Sequence, residues 1–275
     1  MERSSLDIDS RYPLEPKSVD EFRRDGFVKL DAVLGAAVLE HYGESIQERV
    51  VALNPIDVPM ERRDTYQRAF VQVTNLWRKS EAVRSFVLGQ RLGRIAAKLM
   101  GTKGVRIYHD QALFKESGGG HTPWHADQYY WPLATDRCVT AWIPLQATPV
   151  EMGALAFATG SHHHEIGRDV AISDESEARL DGIVEGAGFA YACAPYALGD
   201  VSFHSGWTFH RAGPNTTGAT RRVMTIIYMD RDMRLAAPQN GNQVLDREAF
   251  CPGIAEGGII ASELNPIVWQ ETTQP

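Results

Sequence analysis

The stretch from His121 to Pro132 carries a histidine and an aspartate two residues apart, His125 and Asp127. In an extended segment, residues i and i+2 project on the same side, so one short piece of backbone can present an imidazole and a carboxylate to a single ion. His210 lies 85 residues further on, at the predicted end of a later strand, and is the candidate third ligand. Two histidines and one carboxylate on one face of an ion form a facial triad suited to Fe(II). We therefore predict an iron site at these three residues.

An arginine near His210 strengthens this prediction, because a chain with nine histidines and 35 acidic residues contains histidine–aspartate pairs by chance. Arg221 lies eleven residues after His210, across a turn rich in Pro, Asn and Gly, and can return beside the metal. Its planar guanidinium matches a carboxylate in a way that a lysine does not. Arg222 is predicted to point to the other face of the same strand, toward solvent or a salt bridge.

The elements that must position these residues change in character along the chain. Residues 18–100 are predicted to be mainly helical, with helices at about 18–26, 35–53 and 80–100 and a strand at 27–31. From 101 to 230, short runs of strand formers alternate with turn residues, which indicates an all-β sandwich or barrel. The acidic segment at about 165–186 is predicted to be a surface helix plus a loop. Residues 231–275 are predicted to be a C-terminal extension of a single domain spanning 1–275.

The composition limits the class of protein. With 43% hydrophobic and 23% charged residues, the chain resembles an ordinary globular protein. A net charge of -7 and no dense basic run argue against a nucleic-acid partner. No apolar stretch is long enough to span a membrane, and the start has no signal-peptide pattern. Three cysteines without CxxC spacing fit a reducing compartment, so we expect a cytoplasmic protein. The sequence leaves the oligomeric state open.

The chain from about Ser18 to Asp230 resembles the phytanoyl-CoA dioxygenase family of Fe(II)- and 2-oxoglutarate-dependent oxygenases. The resemblance rests on an ordered set of motifs: Glu21-Phe-Arg-Arg-Asp-Gly-Phe27, Leu113-Phe-Lys115, Pro123-Trp-His-Ala-Asp127, Ala141-Trp142, Gly160-Ser-His162, Gly199-Asp200 and the segment from His210 to Arg221. It implies a mainly β fold with flanking helices, whose core is a double-stranded β-helix of the jelly-roll, cupin-like type. It also implies that His125, Asp127 and His210 bind iron and that Arg221 binds the distal carboxylate of 2-oxoglutarate.

The same resemblance suggests further residues. Trp142, Gln111 and Lys115 fall where the family contacts 2-oxoglutarate, although a core tryptophan and ordinary strand residues would occupy the same positions. Tyr129, Tyr130 and Trp131 follow the metal motif directly and are predicted to line the substrate cavity, although aromatic residues of this kind also serve as core.

The implied reaction consumes 2-oxoglutarate and O₂, releases succinate and CO₂, and oxidises a small organic molecule. Hydroxylation, cyclisation, desaturation and epimerisation all remain open, as does the substrate, and tailoring of a natural product is one setting that fits. Two alternatives also remain. The first is a cupin-like metal isomerase or a dioxygenase that works without 2-oxoglutarate, which would have no use for Arg221. The second is a non-catalytic binding protein on the same fold.

Overall fold

The structure is a computed structural model that describes residues 6–272 of the chain; the ends of the predicted 1–275 domain lie outside this range. The described residues form seven α-helices: α1 (Pro16–Asp25), α2 (Ala36–Leu53), α3 (Thr65–Ala69), α4 (Glu81–Val87), α5 (Gln90–Met100), α6 (Asp174–Gly186) and α7 (Gly241–Phe250). Among them, no helix is long and apolar enough to cross a membrane. The helices flank two β-sheets.

The strands of the same described range are β1 (Phe27–Leu30), β2 (Val71–Thr74), β3 (Gly104–Phe114), β4 (Thr122–His125), β5 (Cys138–Pro144), β6 (Leu155–Ala158), β7 (Tyr191–Cys193), β8 (Val201–Ser205), β9 (His210–Ala212), β10 (Val223–Asp230) and β11 (Ile267–Gln270). The major sheet has the order β1-β8-β5-β10-β3-β11, with β2 also paired to β3. The minor sheet has the order β4-β9-β6-β7. All the pairings are antiparallel. The two-sheet jelly-roll with flanking helices confirms the predicted fold class.

Side chains alternate along the central strands of the major sheet, so that one face packs against the helices and the other face carries the candidate site residues. On β5, Val139, Ala141 and Ile143 belong to the hydrophobic core shared with the helices, whereas Thr140 and Trp142 point to the opposite face. On this second face, the strand register places side chains from neighbouring strands side by side, in rows that cross the sheet. One row is His109–Ile227–Thr140–His204, and the next is Gln111–Thr225–Trp142–Ser202. Polar side chains on otherwise apolar strands therefore meet on one surface, toward the minor sheet.

The predicted helix at 80–100 is wrong as a continuous element, because α4 and α5 are separated at Leu88 and Gly89. The N-terminal segment caps the start of α5: the Gln90 backbone N–H donates to the Asp9 carboxylate at 2.8 Å, and the Arg91 N–H donates to the Ile8 carbonyl at 2.9 Å. A side chain at Gly89 would lie about 3.1 Å from Ile8, so glycine suits this close approach. Long-range contacts break a helix that its periodicity favours.

The predicted regions 18–100 and 231–275 both contribute strands to the major sheet of the predicted core, 101–230. From the N-terminal region, β1 pairs with β8, and β2 pairs with residues 111–114 of β3. From the C-terminal region, β11 pairs with residues 104–106 of β3. Helix α1 begins at Pro16, two residues before the predicted start at about residue 18, because proline is already preorganised for the first helical position. Its predicted end is right, because Gly26 adopts a φ of +84° there.

Candidate metal centre and active site

Two short strands of the minor sheet bring the three predicted metal ligands together. His125 ends β4, Ala126 continues the extended backbone, and Asp127 starts a 3-10 turn, so both side chains reach the same place. His210 is the register partner of His125. It begins β9 rather than ending a strand as predicted, because β8 already stops at Ser205 and a turn follows. One ligand atom from each of the three residues lies within 4.8 Å of the others, and no other such group occurs among residues 6–272.

The hydrogen bonds of both histidines leave one nitrogen of each ring available. His125 Nδ1 lies 2.8 Å from the carbonyl of Pro123, and His210 Nδ1 lies 2.9 Å from the carbonyl of Thr208. A ring N–H that donates to a carbonyl fixes the tautomer, so Nε2 keeps its lone pair. Burial lowers the pKa of both imidazoles to about 4, and the rings are therefore neutral at pH 7, as metal ligands must be.

The two oxygens of the Asp127 carboxylate have different surroundings. Oδ2 accepts hydrogen bonds from Thr140 at 2.8 Å and from His204 Nε2 at 3.1 Å. Oδ1 lies 3.7 and 3.6 Å from the Nε2 atoms of His125 and His210. Burial alone would raise the pKa of Asp127, but the surrounding histidines hold it well below its usual value. The donor set therefore fits a divalent iron ion, with two neutral imidazoles and one ionised carboxylate.

His204 was missed by the sequence analysis, although it is fully buried behind Asp127. A signal existed, because the polar residues Ser202 and His204 alternate along β8 with the apolar residues Val201 and Phe203. A histidine on the inner face of a buried strand indicates a polar partner. That inference also needs the register between β8 and β5, which places His204 opposite Thr140 and was not available from the sequence.

Helix α6 fastens the strand that carries His125. Glu177 accepts the backbone N–H of Trp124 at 2.6 Å, and Asp181 accepts the indole N–H of the same residue at 3.0 Å. Arg211 pairs with both acids at 2.8 and 3.1 Å, and its guanidinium lies 4.7 Å from the Trp124 ring. The segment predicted as an acidic surface feature therefore does more than face solvent. Its acids position the residue that precedes His125.

Arg221 is 2% exposed and makes no ion pair with any residue in 6–272. Its Nη1 donates to the Gly153 carbonyl, its Nε has no hydrogen-bond partner in the described part of the chain, and its guanidinium lies 5.5 Å from the Trp142 ring. Burial lowers the pKa of Arg221 to about 10, so the side chain stays charged at neutral pH. Arg222 points the other way, as predicted, and donates to Gln146 and Gln47.

One cavity of about 180 Å³ joins most of the predicted site residues. Its lining includes the three metal-ligand candidates together with Arg221, Trp142, Gln111, Tyr130 and Trp131. Two predicted residues are not in this lining. Lys115 is fully buried, but its Nζ donates to the Gly120 carbonyl and to Thr122, so it holds the loop before β4. Tyr129 lines a neighbouring cavity at the surface instead.

The far walls of the cavity come from parts of the chain that the sequence analysis did not single out. The residues concerned are Tyr66, Phe70 and Gln72 around α3 and β2, His109 on β3, Ile172 before α6, and Asp246 and Phe250 on α7. Their spacing carries no motif. Only the tertiary arrangement shows that they face the metal-ligand candidates.

A jelly-roll with two histidines and one carboxylate at a cavity defines a mononuclear non-haem iron oxygenase. Residues 22–223 match the family model described as Phytanoyl-CoA dioxygenase (PhyH), and the chain belongs to that family. A probable alpha-ketoglutarate-dependent hypophosphite dioxygenase of Stutzerimonas stutzeri is 24% identical over 227 residues, which is 77% of each protein.

Solved structures of alpha-ketoglutarate-dependent enzymes are also similar to this chain. The alpha-ketoglutarate-dependent carbocyclase SnoK from nogalamycin biosynthesis is 26% identical with a TM-score of 0.75, over 94% of this chain and 97% of that one. The epimerase SnoN in complex with Fe3+, alpha ketoglutarate and nogalamycin RO is 25% identical with a TM-score of 0.76, over 92% and 98%. The protein is thus an iron- and 2-oxoglutarate-dependent dioxygenase that acts on a small molecule. The predicted reaction class and cofactors are confirmed over the two alternatives.

Proposed function

We propose that His125, Asp127 and His210 bind Fe(II), that Arg221 binds the distal carboxylate of 2-oxoglutarate, and that the substrate is a ring-bearing organic molecule. The observation that carries the proposal is a buried, charged arginine without an acidic partner in the described structure, in one cavity with the triad. An unpaired buried charge costs several kcal/mol as an order of magnitude, so such a site implies a ligand that brings the opposite charge. A dicarboxylate that also reaches the metal satisfies both ends.

The neighbouring residues define how the co-substrate is held. Trp142 packs beside the Arg221 guanidinium and, with Leu155 and Ala212, supplies an apolar wall for the carbon chain. Gln111 lies in the same cross-strand row of the major sheet as Trp142 and offers a polar group to the same space. When bound, Fe(II), 2-oxoglutarate and O₂ supply an oxidant that removes a hydrogen atom from a carbon of the substrate, with release of succinate and CO₂. The protein orients the reactants and excludes water.

The lining of the remaining space favours a ring-bearing molecule over a small anion. Tyr66, Phe70, Tyr130, Trp131 and Phe250 supply apolar and aromatic surface. Within the described lining, Arg221 is the one lysine or arginine, and burial lowers the pKa of His109 to about 4, so that ring is neutral. A phosphorus oxyanion, or the phosphates of a CoA thioester, would have no second cation to pair with. The hypophosphite chemistry of one relative therefore does not transfer readily to this cavity.

The outcomes that suit this cavity are hydroxylation, ring closure or epimerisation at a C–H bond, in the tailoring of a natural product. The carbocyclase and the epimerase from nogalamycin biosynthesis support this proposal, because they share the fold with at least 25% identity. We further propose a cytoplasmic location. Support comes from the cysteines, since Cys138, Cys193 and Cys251 are all free.

The experiment that tests the proposal is anaerobic titration of the protein with Fe(II) and 2-oxoglutarate, followed by visible absorbance. We expect a weak charge-transfer band that requires both additions, and succinate release when ring-bearing substrates and O₂ are supplied. Arg222→Ala is the matched control for Arg221→Ala. It should give the band at the same 2-oxoglutarate concentration as the wild-type protein. A metal-loaded protein that shows no band at any 2-oxoglutarate concentration contradicts the proposed binding mode.

A further inference from the structure

Helix α7 places one acidic side chain in the wall of the cavity. Asp246 and Phe250 are one helical turn apart and both line the cavity. Among the described lining residues, Asp246 is the one carboxylate besides Asp127. Its Oδ2 accepts a hydrogen bond from the Tyr108 hydroxyl, whereas Oδ1 has no hydrogen-bond partner within residues 6–272. Half of this carboxylate is therefore available to a ligand.

Aromatic rings line the same cavity and pack around Tyr108, the residue that donates to this carboxylate. The Trp131 ring centroid lies 5.7 Å from that of Tyr108, and the Phe250 centroid lies 5.9 Å from it. Phe250 also stacks on His109 at 4.1 Å. A carboxylate and aromatic rings in one cavity are the chemistry that proteins use to recognise a cationic nitrogen, which gains both an ion pair and a cation–π contact.

The protein does not neutralise this carboxylate itself. Burial raises the pKa of Asp246 to about 7, the hydrogen bond from Tyr108 offsets only part of that effect, and no cation contributes. The next residue, Arg247, pairs instead with Glu256 at the surface. A ligand that brings a positive charge would therefore recover the desolvation cost that the folded chain leaves uncompensated.

We propose that Asp246 is the binding group for a protonated amine on the substrate, with the rings of Trp131 and Phe250 beside the nitrogen. This proposal rests on the proposed function, because it takes the cavity to be the active site. It narrows the substrate to an amine-bearing ring compound and assigns α7 a role in specificity. Asp246 touches the substrate in this scheme, remote from the metal ligands in sequence.

The test compares three ring compounds of similar size and different charge: benzylamine, benzyl alcohol and benzoate. Ligand-observed NMR at pH 8 measures their dissociation constants for anaerobic protein loaded with Fe(II) and 2-oxoglutarate. We expect the wild-type protein to bind benzylamine about tenfold or more tightly than benzyl alcohol, equivalent to roughly 1.4 kcal/mol, with benzoate weakest. Asp246→Asn keeps the size of the side chain and should reduce that ratio to about one. Glu248→Gln, at an exposed position of the same helix, should leave it unchanged.

A second variant separates recognition from a structural role. Tyr108→Phe removes the hydrogen bond to Asp246 but keeps the carboxylate, so the preference for benzylamine should persist even if the melting temperature falls. Equal binding of the amine and the alcohol by the wild type overturns the proposal, as does a preference that survives Asp246→Asn. The charge-transfer band is measured on the same samples and reports the proposed function separately. Its absence would leave the amine preference measurable on metal-free protein.

Discussion

Replacement of Arg221 by alanine is the perturbation that bears most directly on how the co-substrate binds. The side chain is 2% exposed, so a carboxylate that binds it is largely desolvated. Removing one partner of such a pair typically costs about 2–5 kcal/mol, because the other charge is left unpaired. At about 1.4 kcal/mol per factor of ten, the expected rise in the dissociation constant for 2-oxoglutarate is roughly 30-fold or more. An exposed pair worth about 0–1 kcal/mol would give at most roughly fivefold.

The assay is a titration of Fe(II)-loaded protein with 2-oxoglutarate in the absence of O₂, with iron affinity measured separately. Arg221→Ala should weaken 2-oxoglutarate binding far more than iron binding, since the arginine is not a metal ligand. Arg221→Lys should be intermediate, because an ammonium keeps the charge but cannot form two parallel hydrogen bonds. Arg222→Ala is the neighbouring control, on the opposite face of the strand.

Two outcomes would refute this reasoning in different ways. A large loss from Arg222→Ala with little effect of Arg221→Ala would mean that the two arginines face the opposite way from the structure. No loss from either variant would remove the arginine from co-substrate binding altogether.

The remaining predictions concern the metal centre and its support. His210→Ala should abolish the charge-transfer band and turnover while circular dichroism stays unchanged, because its ring lies at the start of a strand; retained turnover would exclude it as a ligand. Asp127→Gly should lower iron affinity and abolish oxidation of the substrate. Succinate release and formation of the oxidised product are the measurements, and unchanged oxidation would contradict coordination by Asp127. Thr140→Val removes one hydrogen bond to the ligand carboxylate and should weaken iron binding roughly tenfold or more by metal titration, with no change counting against that role. Glu177→Gln should weaken iron binding severalfold, whereas Glu185→Gln on an exposed turn of the same helix should not, and equal effects would indicate a general charge effect.

Much of the candidate site could be predicted because its geometry is local. The spacing of His125 and Asp127 places both side chains on one side of an extended chain, which holds whatever the rest of the fold does. The opposite orientations of Arg221 and Arg222 follow from strand alternation in the same way. The type of fold followed from the repeated short strands and turns and from the family resemblance. Each inference needed only neighbouring residues or an ordered set of motifs.

The rest depends on contacts between distant segments. Nothing in the local sequence distinguishes Lys115, whose Nζ donates to the loop that follows it, from a lysine that faces a ligand. Tyr129 and Tyr130 are adjacent tyrosines, but the 3-10 turn that begins at Asp127 directs the side chain of Tyr129 to another cavity. The break at Gly89 depends on Ile8 and on the segment around it, about 80 residues earlier in the chain. Periodicity and local motifs cannot predict contacts between segments so far apart in the chain.

The pairing of His125 with His210 has a consequence for the cohesion of the minor sheet. These two proposed ligands are cross-strand neighbours, and β4 and β9 share only one other registered pair, Thr122 with Ala212, with an irregularity between the two. If both histidines bind the metal as proposed, the ion would link two segments that are 85 residues apart in the chain. Opening of these strands then requires the breaking of metal–ligand bonds, and amide hydrogen exchange in β4 and β9 becomes a function of metal concentration. The proposed metal centre would in this respect also hold the minor sheet together.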